Sequence, residues 1–261
     1  MKKVFLFAAV VALGMSACQK AAEVYYSCDP TIDGIIKQRL PYYQGMTREE
    51  WKTLPDSLKN AAFVAMSPEL KKKFWEGKYN EIMEYEHFTN TEKAHISKLY
   101  NYILSIDDIY ADEYDSIKMK NVFDYYKEWA FYGVDSLNWD VLDVILIAED
   151  KEELTGEYIA KFKQKANSPP DNSTLQHEGD GNGNEKPKCN CRYNLGCRGA
   201  SYSYCDSKVD CKTKKDCGPL GVLDCDGRCN EPKTDKGSPT AVPKELMQQV
   251  SQREYLEYLF R

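Results

Sequence analysis

The sequence predicts a mainly α-helical fold, in which a small helical bundle is followed by a flexible linker and a small disulfide-rich module with little regular structure. Helix-capping residues and an apolar period near 3.6 residues recur through the first two thirds of the chain. No run alternates convincingly between apolar and polar residues, so we expect no extensive sheet. Eight cysteines within 41 residues then indicate the disulfide-rich module.

The first 17 residues are typical of a bacterial signal peptide. Two lysines precede an apolar run, residues 4–15, which is shorter than the roughly 17 to 25 residues that a membrane-spanning helix needs. Small residues then precede Cys18, as in a lipobox, where cleavage occurs before a lipidated cysteine. We therefore expect Cys18 to carry a lipid and residues 18–28 to form a lipidated tether. The alternative is an ordinary secretory peptide in which Cys18 is incidental.

Capping signals divide a predicted helical domain, residues 29–165, into five to seven helices. The candidate caps are Thr47 with Glu50, Ser67 before Pro68, Thr89 with Glu92, Asp112 and Asn138. Apolar stripes that begin at Leu70, Ile96, Met119, Val141 and Leu154 follow these caps. Each stripe predicts a helix with one buried face.

Two polar stretches flank the cysteines. Residues 166–188 are rich in Pro, Gly and Asn and offer almost no apolar side chains to bury, which predicts a disordered linker. Residues 230–261 form a polar tail, in which residues 242–260 have the apolar spacing of one terminal amphipathic helix.

The cysteine-rich segment, residues 189–229, has too few aliphatic residues to build a core of its own. We expect its eight cysteines to form four disulfides in an oxidising compartment outside the cytoplasm. They are Cys189, Cys191, Cys197, Cys205, Cys211, Cys217, Cys225 and Cys229. The spacing leaves 105 connectivities open. Zinc is the weaker alternative, because no histidine lies in the segment and no close C-x2-C pairs occur.

The number of cysteines bears on whether Cys18 carries a lipid. The chain has ten cysteines; a lipid on Cys18 and eight paired cysteines in the module would leave Cys28 unpaired. The competing arrangement pairs Cys18 with Cys28 and leaves no sulfur for a lipid.

Several motifs resemble those of the bacteriocin fulvocin C-related family of exported bacterial proteins. The segment opens with Cys189-Asn190-Cys191 and closes with Cys225-Asp226-Gly227-Arg228-Cys229. Upstream, Met46-Thr47-Arg48-Glu49-Glu50-Trp51, Leu54-Pro55 and Ala65-Met66-Ser67-Pro68-Glu69 are similar to the amino-terminal region of those proteins. The resemblance implies a cell-envelope lipoprotein that ends in an eight-cysteine module with antibacterial activity.

Charge indicates which partners such a module would have. Between residues 188 and 229 there are eight basic and five acidic side chains, whereas the whole chain has a net charge of −6. A cationic module favours anionic lipid or a cell-wall component of a target cell, and the acidic remainder argues against nucleic acid. The expected location is the cell envelope, through the lipid, at the outer membrane or the cell surface. The alternative function is a non-enzymatic surface binding lipoprotein that recognises a protein or a glycan.

No pattern predicts an enzyme, a cofactor or a metal site. The chain has three histidines, which we interpret as surface or packing residues, and none of the common nucleophile, phosphate or metalloprotease motifs. Acidic pairs such as Glu149-Asp150 and Glu152-Glu153 are interpreted as solvated faces. The string at residues 180–184 lacks the glycine and the distal glutamate of a calcium loop. The nineteen tyrosines predict either helix packing or a sugar-binding surface.

Overall fold

The structure of the chain is a computed structural model. The residues that it describes are 24–111, 115–167, 188–189, 204–206, 213–225, 228–230 and 251–260. The predicted signal peptide, Cys18 and most of the predicted linker, residues 168–187, lie outside these residues.

The fold is mainly α-helical, as the sequence predicts. In the described part of the chain the helices are α1 (Pro30–Gln38), α2 (Leu40–Gln44), α3 (Arg48–Lys52), α4 (Asp56–Ala65), α5 (Pro68–Glu84), α6 (Asn90–Leu104), α7 (Ser116–Leu137), α8 (Val141–Ala148), α9 (Gly156–Asn167) and α10 (Gln252–Leu259). The short strands are β1 (Lys188–Cys189), β2 (Tyr204–Asp206), β3 (Thr213–Cys217), β4 (Leu223–Cys225) and β5 (Arg228–Asn230).

Local capping chemistry fixes the helix starts where the sequence places them. Thr47 and Thr89 form capping boxes with the glutamates three residues later, and Ser67 caps α5 ahead of its first-turn proline. Asn138 is also a cap, but it closes α7 in the left-handed conformation, with φ of 57°. Asp140 opens α8 instead, and the expected cap at residue 112 lies outside the described residues.

The helical core is rich in aromatic rings that meet edge to face. Trp51 and Phe63 both approach Phe74, with ring centroids 4.9 and 5.2 Å apart, and Trp75 approaches Tyr100 at 6.3 Å. All five side chains are at most 1% exposed. Edge-to-face pairs place the positive ring edge on the negative ring face, so they fix the spacing of α3, α4, α5 and α6.

The terminal helix α10 packs on α7 and α8. Leu256 is fully buried, and the Phe260 ring lies 5.6 Å from the Tyr126 ring. The backbone N–H of Val141 donates to Gln252 Oε1 at 3.0 Å, which satisfies a free donor at the start of α8. The described part of the predicted terminal helix is therefore helical, and residues 242–250 lie outside the described residues.

The strands form two small antiparallel arrangements. β5 lies between β1 and β2, and this pairing sets Cys205 opposite Cys229. β3 and β4 form a separate hairpin, linked by one 3₁₀ turn, Pro219–Gly221. Strands this short agree with a module of little regular structure.

Candidate functional site

The hairpin of residues 213–225 is the most completely described part of the cysteine-rich segment, and its turn needs glycine at two positions. Gly218 has φ of 67° and Gly221 has φ of 63°, values that side chains with a Cβ rarely adopt. A Cβ on Gly218 would lie 2.6 Å from Leu223, and one on Gly221 would lie 2.9 Å from the Phe63 ring. The turn therefore brings its backbone into direct contact with helix α4.

A disulfide closes the hairpin between Cys217 and Cys225, whose Cα atoms are 5.4 Å apart. Both cysteines are at most 1% exposed. For these two residues the sequence prediction of a disulfide is confirmed. The side chains of the other six cysteines of the segment lie outside the described part, so their pairing stays a prediction.

The apolar residues of the hairpin lie in the core of the helical domain. Leu220, Val222 and Leu223 are at most 2% exposed and belong to the same hydrophobic cluster as the helices. The Tyr110 hydroxyl donates to the backbone oxygen of Leu220 at 2.8 Å. The sequence predicts a module separated from the helices by a linker, whereas these residues share one core with them.

A buried ion pair joins the hairpin to the loop after α8. Lys151 Nζ lies 2.9 Å from Asp216 Oδ1, and the two side chains are 10% and 3% exposed. The ammonium group of Lys151 also lies 4.8 Å from the centre of the Phe63 ring. Separating these two partly desolvated charges would leave each one without its counter-charge, which is energetically costly. The pair therefore fixes the position of the hairpin relative to the loop.

Two cationic side chains, Arg48 and Lys78, bind backbone oxygens of that loop. Arg48 donates to both carboxylate oxygens of Glu81, at 3.0 and 2.6 Å, and to the backbone oxygen of Lys151 at 3.0 Å. Lys78, which is fully buried, donates to the backbone oxygens of Asp150 and Glu152 at 2.8 and 2.6 Å. The carbonyl oxygens of the loop thus accept hydrogen bonds from helices α3 and α5.

Burial lowers the pKa of Lys78 to about 8, against the opposing attraction of Asp150. Asp150 also accepts a hydrogen bond from the Tyr158 hydroxyl at 2.7 Å, and Glu152 pairs with Lys59 at 2.8 Å. The interpretation of these acids as a solvated face is therefore wrong, because Asp150 and Glu152 neutralise buried or half-buried lysines. Glu153 remains more than half exposed.

Cys28 takes part in a disulfide, so the parity argument that left it unpaired is wrong. Its partner is a cysteine whose side chain the structure does not describe. Two arrangements agree with this observation: Cys28 pairs with Cys18, or Cys28 pairs with a cysteine of the segment while Cys18 carries a lipid. In the second arrangement, one cysteine of the segment has no intrachain partner.

His95 and His87 have the packing and surface positions that the sequence suggests. His95 is 6% exposed and its ring is parallel to that of Trp129, with Nε2 3.0 Å from the Trp129 carbonyl oxygen. This contact requires Nε2 to carry the proton, and the Trp129 indole N–H donates back to the His95 carbonyl at 2.9 Å. The hydrogen bonds and the ring contact between His95 and Trp129 therefore hold α6 against α7. His87 is exposed and stacks on Tyr85, and His177 lies outside the described residues.

The tyrosines divide between the core and the surface. Tyr43 and Tyr126 are at most 2% exposed, whereas Tyr42 is 41% exposed and Tyr132 is 48% exposed. Packing explains the buried members, and only the exposed ones could contact a ligand.

The described residues contain no group of three or more His, Cys, Asp or Glu side chains placed to hold a metal ion. None of their helices combines the length and the apolar character that crossing a bilayer requires. The acids and bases of the loop are bound to one another, so this arrangement stabilises the fold rather than presenting a reactive pair to a substrate. The key residues Tyr110, Lys151 and Asp216 were not singled out from the sequence, because each acts through a distant partner.

Comparison of the chain with protein-family models, with curated proteins and with solved structures finds no match. The fulvocin C-related resemblance therefore stays a prediction from the motifs.

Proposed function

We propose that the chain is a non-enzymatic binding lipoprotein of the bacterial cell envelope, anchored through Cys18, in which the cysteine-rich segment is a fixed part of the folded domain. The observation that carries the proposal is the burial of the hairpin in the helical core. The recognised partner is a protein or a glycan of the cell surface.

The burial of the hairpin argues against a function in which the cysteine-rich segment is cut from the helical domain and released as a toxin. Leu220, Val222 and Leu223 would move from the core to water if the segment were excised. Exposing a buried aliphatic side chain costs about 1.5–3 kcal/mol, so three such residues are a large cost for a domain whose total stability is about 5–15 kcal/mol. The buried Asp216 would also leave Lys151 without its counter-charge.

The cationic character of the segment is also weaker than the sequence suggests. Lys215 is 2% exposed, lies 3.9 Å from Asp224 and has its Nζ 3.9 Å from the Met119 sulfur. One of the eight basic residues is therefore directed into the protein and not towards an anionic surface. This reduces the support for a module that approaches a target cell by charge.

The first experiment tests the anchor. Intact mass spectrometry of the mature protein, before and after reduction, should show a lipid that is lost in Cys18→Ser. It should also count one unpaired thiol in the lipidated protein, because a lipid on Cys18 leaves nine of the ten cysteines and an odd number cannot all pair. An unmodified protein with all ten cysteines oxidised would contradict the anchor and assign Cys18 to a disulfide.

The second experiment separates the two candidate functions. The intact mature chain and the isolated residues 188–232, both oxidised, are assayed for sedimentation with purified cell-wall sacculi and for growth inhibition of a bacterial panel. We expect sacculus binding by the intact chain and neither activity from the fragment.

The antibacterial alternative rests on the fulvocin C-related motifs. It requires the fragment to inhibit growth by itself, and that result would overturn the binding proposal. Inhibition by the intact chain alone would assign antibacterial activity to the whole folded domain and would also contradict a purely binding role.

A further inference from the structure

The joint between α6 and α7 is built around the imidazole ring of His95. The ring is parallel to that of Trp129, with centroids 5.3 Å apart, and it also contacts the rings of Tyr132 and Trp139, at 4.6 and 5.5 Å. Trp139 reaches this position because a Cβ on Gly133 would overlap its ring. We call these three aromatic residues and His95 the His95 cluster. It holds an imidazole that is almost completely removed from water.

The two ring nitrogens of His95 have different surroundings. Nε2 lies 3.0 Å from the Trp129 carbonyl oxygen, which can only accept, so Nε2 carries the proton. Nδ1 is then an unprotonated acceptor, and it is buried with no hydrogen-bond partner among the described residues. A proton taken up by the ring must therefore go to Nδ1. The new N–H would be a buried donor with no acceptor, which is unfavourable.

The acidic groups beside the cluster are bound to other partners. The carboxylate of Glu92 accepts hydrogen bonds from the Trp139 indole and from the backbone of Thr89, both at 2.8 Å. Asp140, which follows Trp139, pairs with Lys163 at 3.0 Å. These carboxylates already balance other donors, so neither serves as a counter-ion for a charged imidazole.

The nearby positive charge opposes protonation as well. The Lys98 ammonium lies on the same helix as His95, 5.8 Å from the centre of the Tyr132 ring. Burial, together with repulsion from Lys98, lowers the pKa of His95, although the hydrogen bond to Trp129 acts the other way. The face of the Trp129 ring attracts a cation, but it offers no acceptor for a proton on Nδ1.

We propose that the His95 cluster is an acid-sensitive joint, in which uptake of a proton at Nδ1 loosens α6 from α7 at mildly acidic pH. The inference does not depend on the proposed function. In the unfolded chain His95 has the ordinary pKa of 6.5, and in the folded chain its pKa is lower. The unfolded chain therefore binds more protons between these two values, so the stability of the joint is complete above pH 6.5 and falls as the pH drops through that window.

The test compares hydrogen exchange of the mature chain at about pH 7 and about pH 5.5, a range in which histidine changes charge. After correction for the intrinsic rates, we expect the protection of α6 and α7 to fall severalfold at the lower pH, with α1 unchanged. His95→Gln keeps an N–H that can donate to the Trp129 carbonyl and does not titrate, so it should remove the pH dependence. His87→Gln, at an exposed position, is the matched control and should behave as the parent chain does.

A second measurement needs no change at His95, so it decides the proposal even if His95→Gln does not fold. The chain has three histidines, and the His95 ring signal in a nuclear magnetic resonance titration is assigned by elimination with His87→Gln and His177→Gln. We expect its midpoint to lie below pH 6.5 and to coincide with the loss of protection in α6 and α7. A midpoint at or above that value overturns the proposal. Protonation of His95 with unchanged protection, or the same pH dependence in a folded His95→Gln chain, overturns it as well.

Discussion

Helix α7 and the β3–β4 hairpin both bury apolar side chains in the same core, but they acquire order in different ways. The helix has 22 residues and carries its own apolar stripe, which includes Met119, Val122 and Tyr126. The hairpin buries three aliphatic residues, and these pack against helices that lie far away in the sequence. A segment too poor in apolar residues for its own core can therefore be ordered by using the core of a neighbour.

The largest expected effect comes from breaking the ion pair that joins the hairpin to the loop after α8. Asp216→Asn leaves Lys151 buried without a counter-charge, so we expect the free energy of unfolding to fall by about 3–5 kcal/mol. Urea unfolding followed by far-ultraviolet circular dichroism measures this. The double variant Lys151→Met with Asp216→Leu should recover most of the loss. A loss below about 1 kcal/mol in Asp216→Asn would mean that the hairpin is loosely attached.

Removing one apolar side chain of the hairpin should destabilise the helices. Leu220 is fully buried, so we expect Leu220→Ala to lower the free energy of unfolding by about 3 kcal/mol. The loss should appear as a lower urea midpoint in the helical signal. Ile117→Ala, at a position 73% exposed on α7, is the control and should change stability by less than about 0.5 kcal/mol. An unchanged helical midpoint in Leu220→Ala would show that the hairpin unfolds independently.

The disulfide should matter less than the core contact. Cys217→Ala with Cys225→Ala removes a cross-link that closes a separation of eight residues, which stabilises a fold by about 2.5 kcal/mol in the chain-entropy description. We expect the double variant to fold with a lower thermal midpoint. If the variant keeps the midpoint of the parent, packing alone orders the hairpin and the cross-link is incidental.

The smallest effect concerns Lys78, which holds the loop that carries Lys151. Burial lowers its pKa from the ordinary 10.5 to about 8, so above that pH the folded chain binds fewer protons than the unfolded chain. Stability from this group therefore rises with pH, by about 1 kcal/mol from about pH 7.5 to about pH 9. Urea unfolding across that range measures the rise, which Lys78→Met should abolish. Lys52 and Lys59, whose pKa values are raised by their acidic partners, act in the opposite sense only above about pH 10. A flat profile in the parent chain would contradict the shift.

The helical part was largely predictable because the signals that define it are local. A threonine and a glutamate three residues apart form a capping box whatever the rest of the chain does, and both predicted boxes are present. The apolar stripe of α7 likewise identifies its buried face. The disulfide between Cys217 and Cys225 agrees with the prediction from cysteine content, although nothing in the cysteine spacing favours that pair among the alternatives.

The predictions that the structure contradicts concern acidic groups with distant partners and the bonding of Cys28. Asp150 and Glu152 resemble surface acids in the sequence, but they neutralise lysines on α4 and α5. Cys28 was assigned as unpaired from a count, and the structure places it in a disulfide. The lysine partners of Asp150 and Glu152 cannot be identified from local spacing, because they lie 72 and 93 positions away.

Local patterns in the sequence specify the helices and their caps, and they predict an export signal and cross-links in a segment with little apolar surface. Where that segment obtains its core depends on the folded arrangement of the whole domain. Tyr110 and Leu220 are separated by 110 positions, and no periodicity connects residues so far apart. Burial depends on which surfaces meet after the chain has folded, and a linear pattern specifies the surface but not its partner.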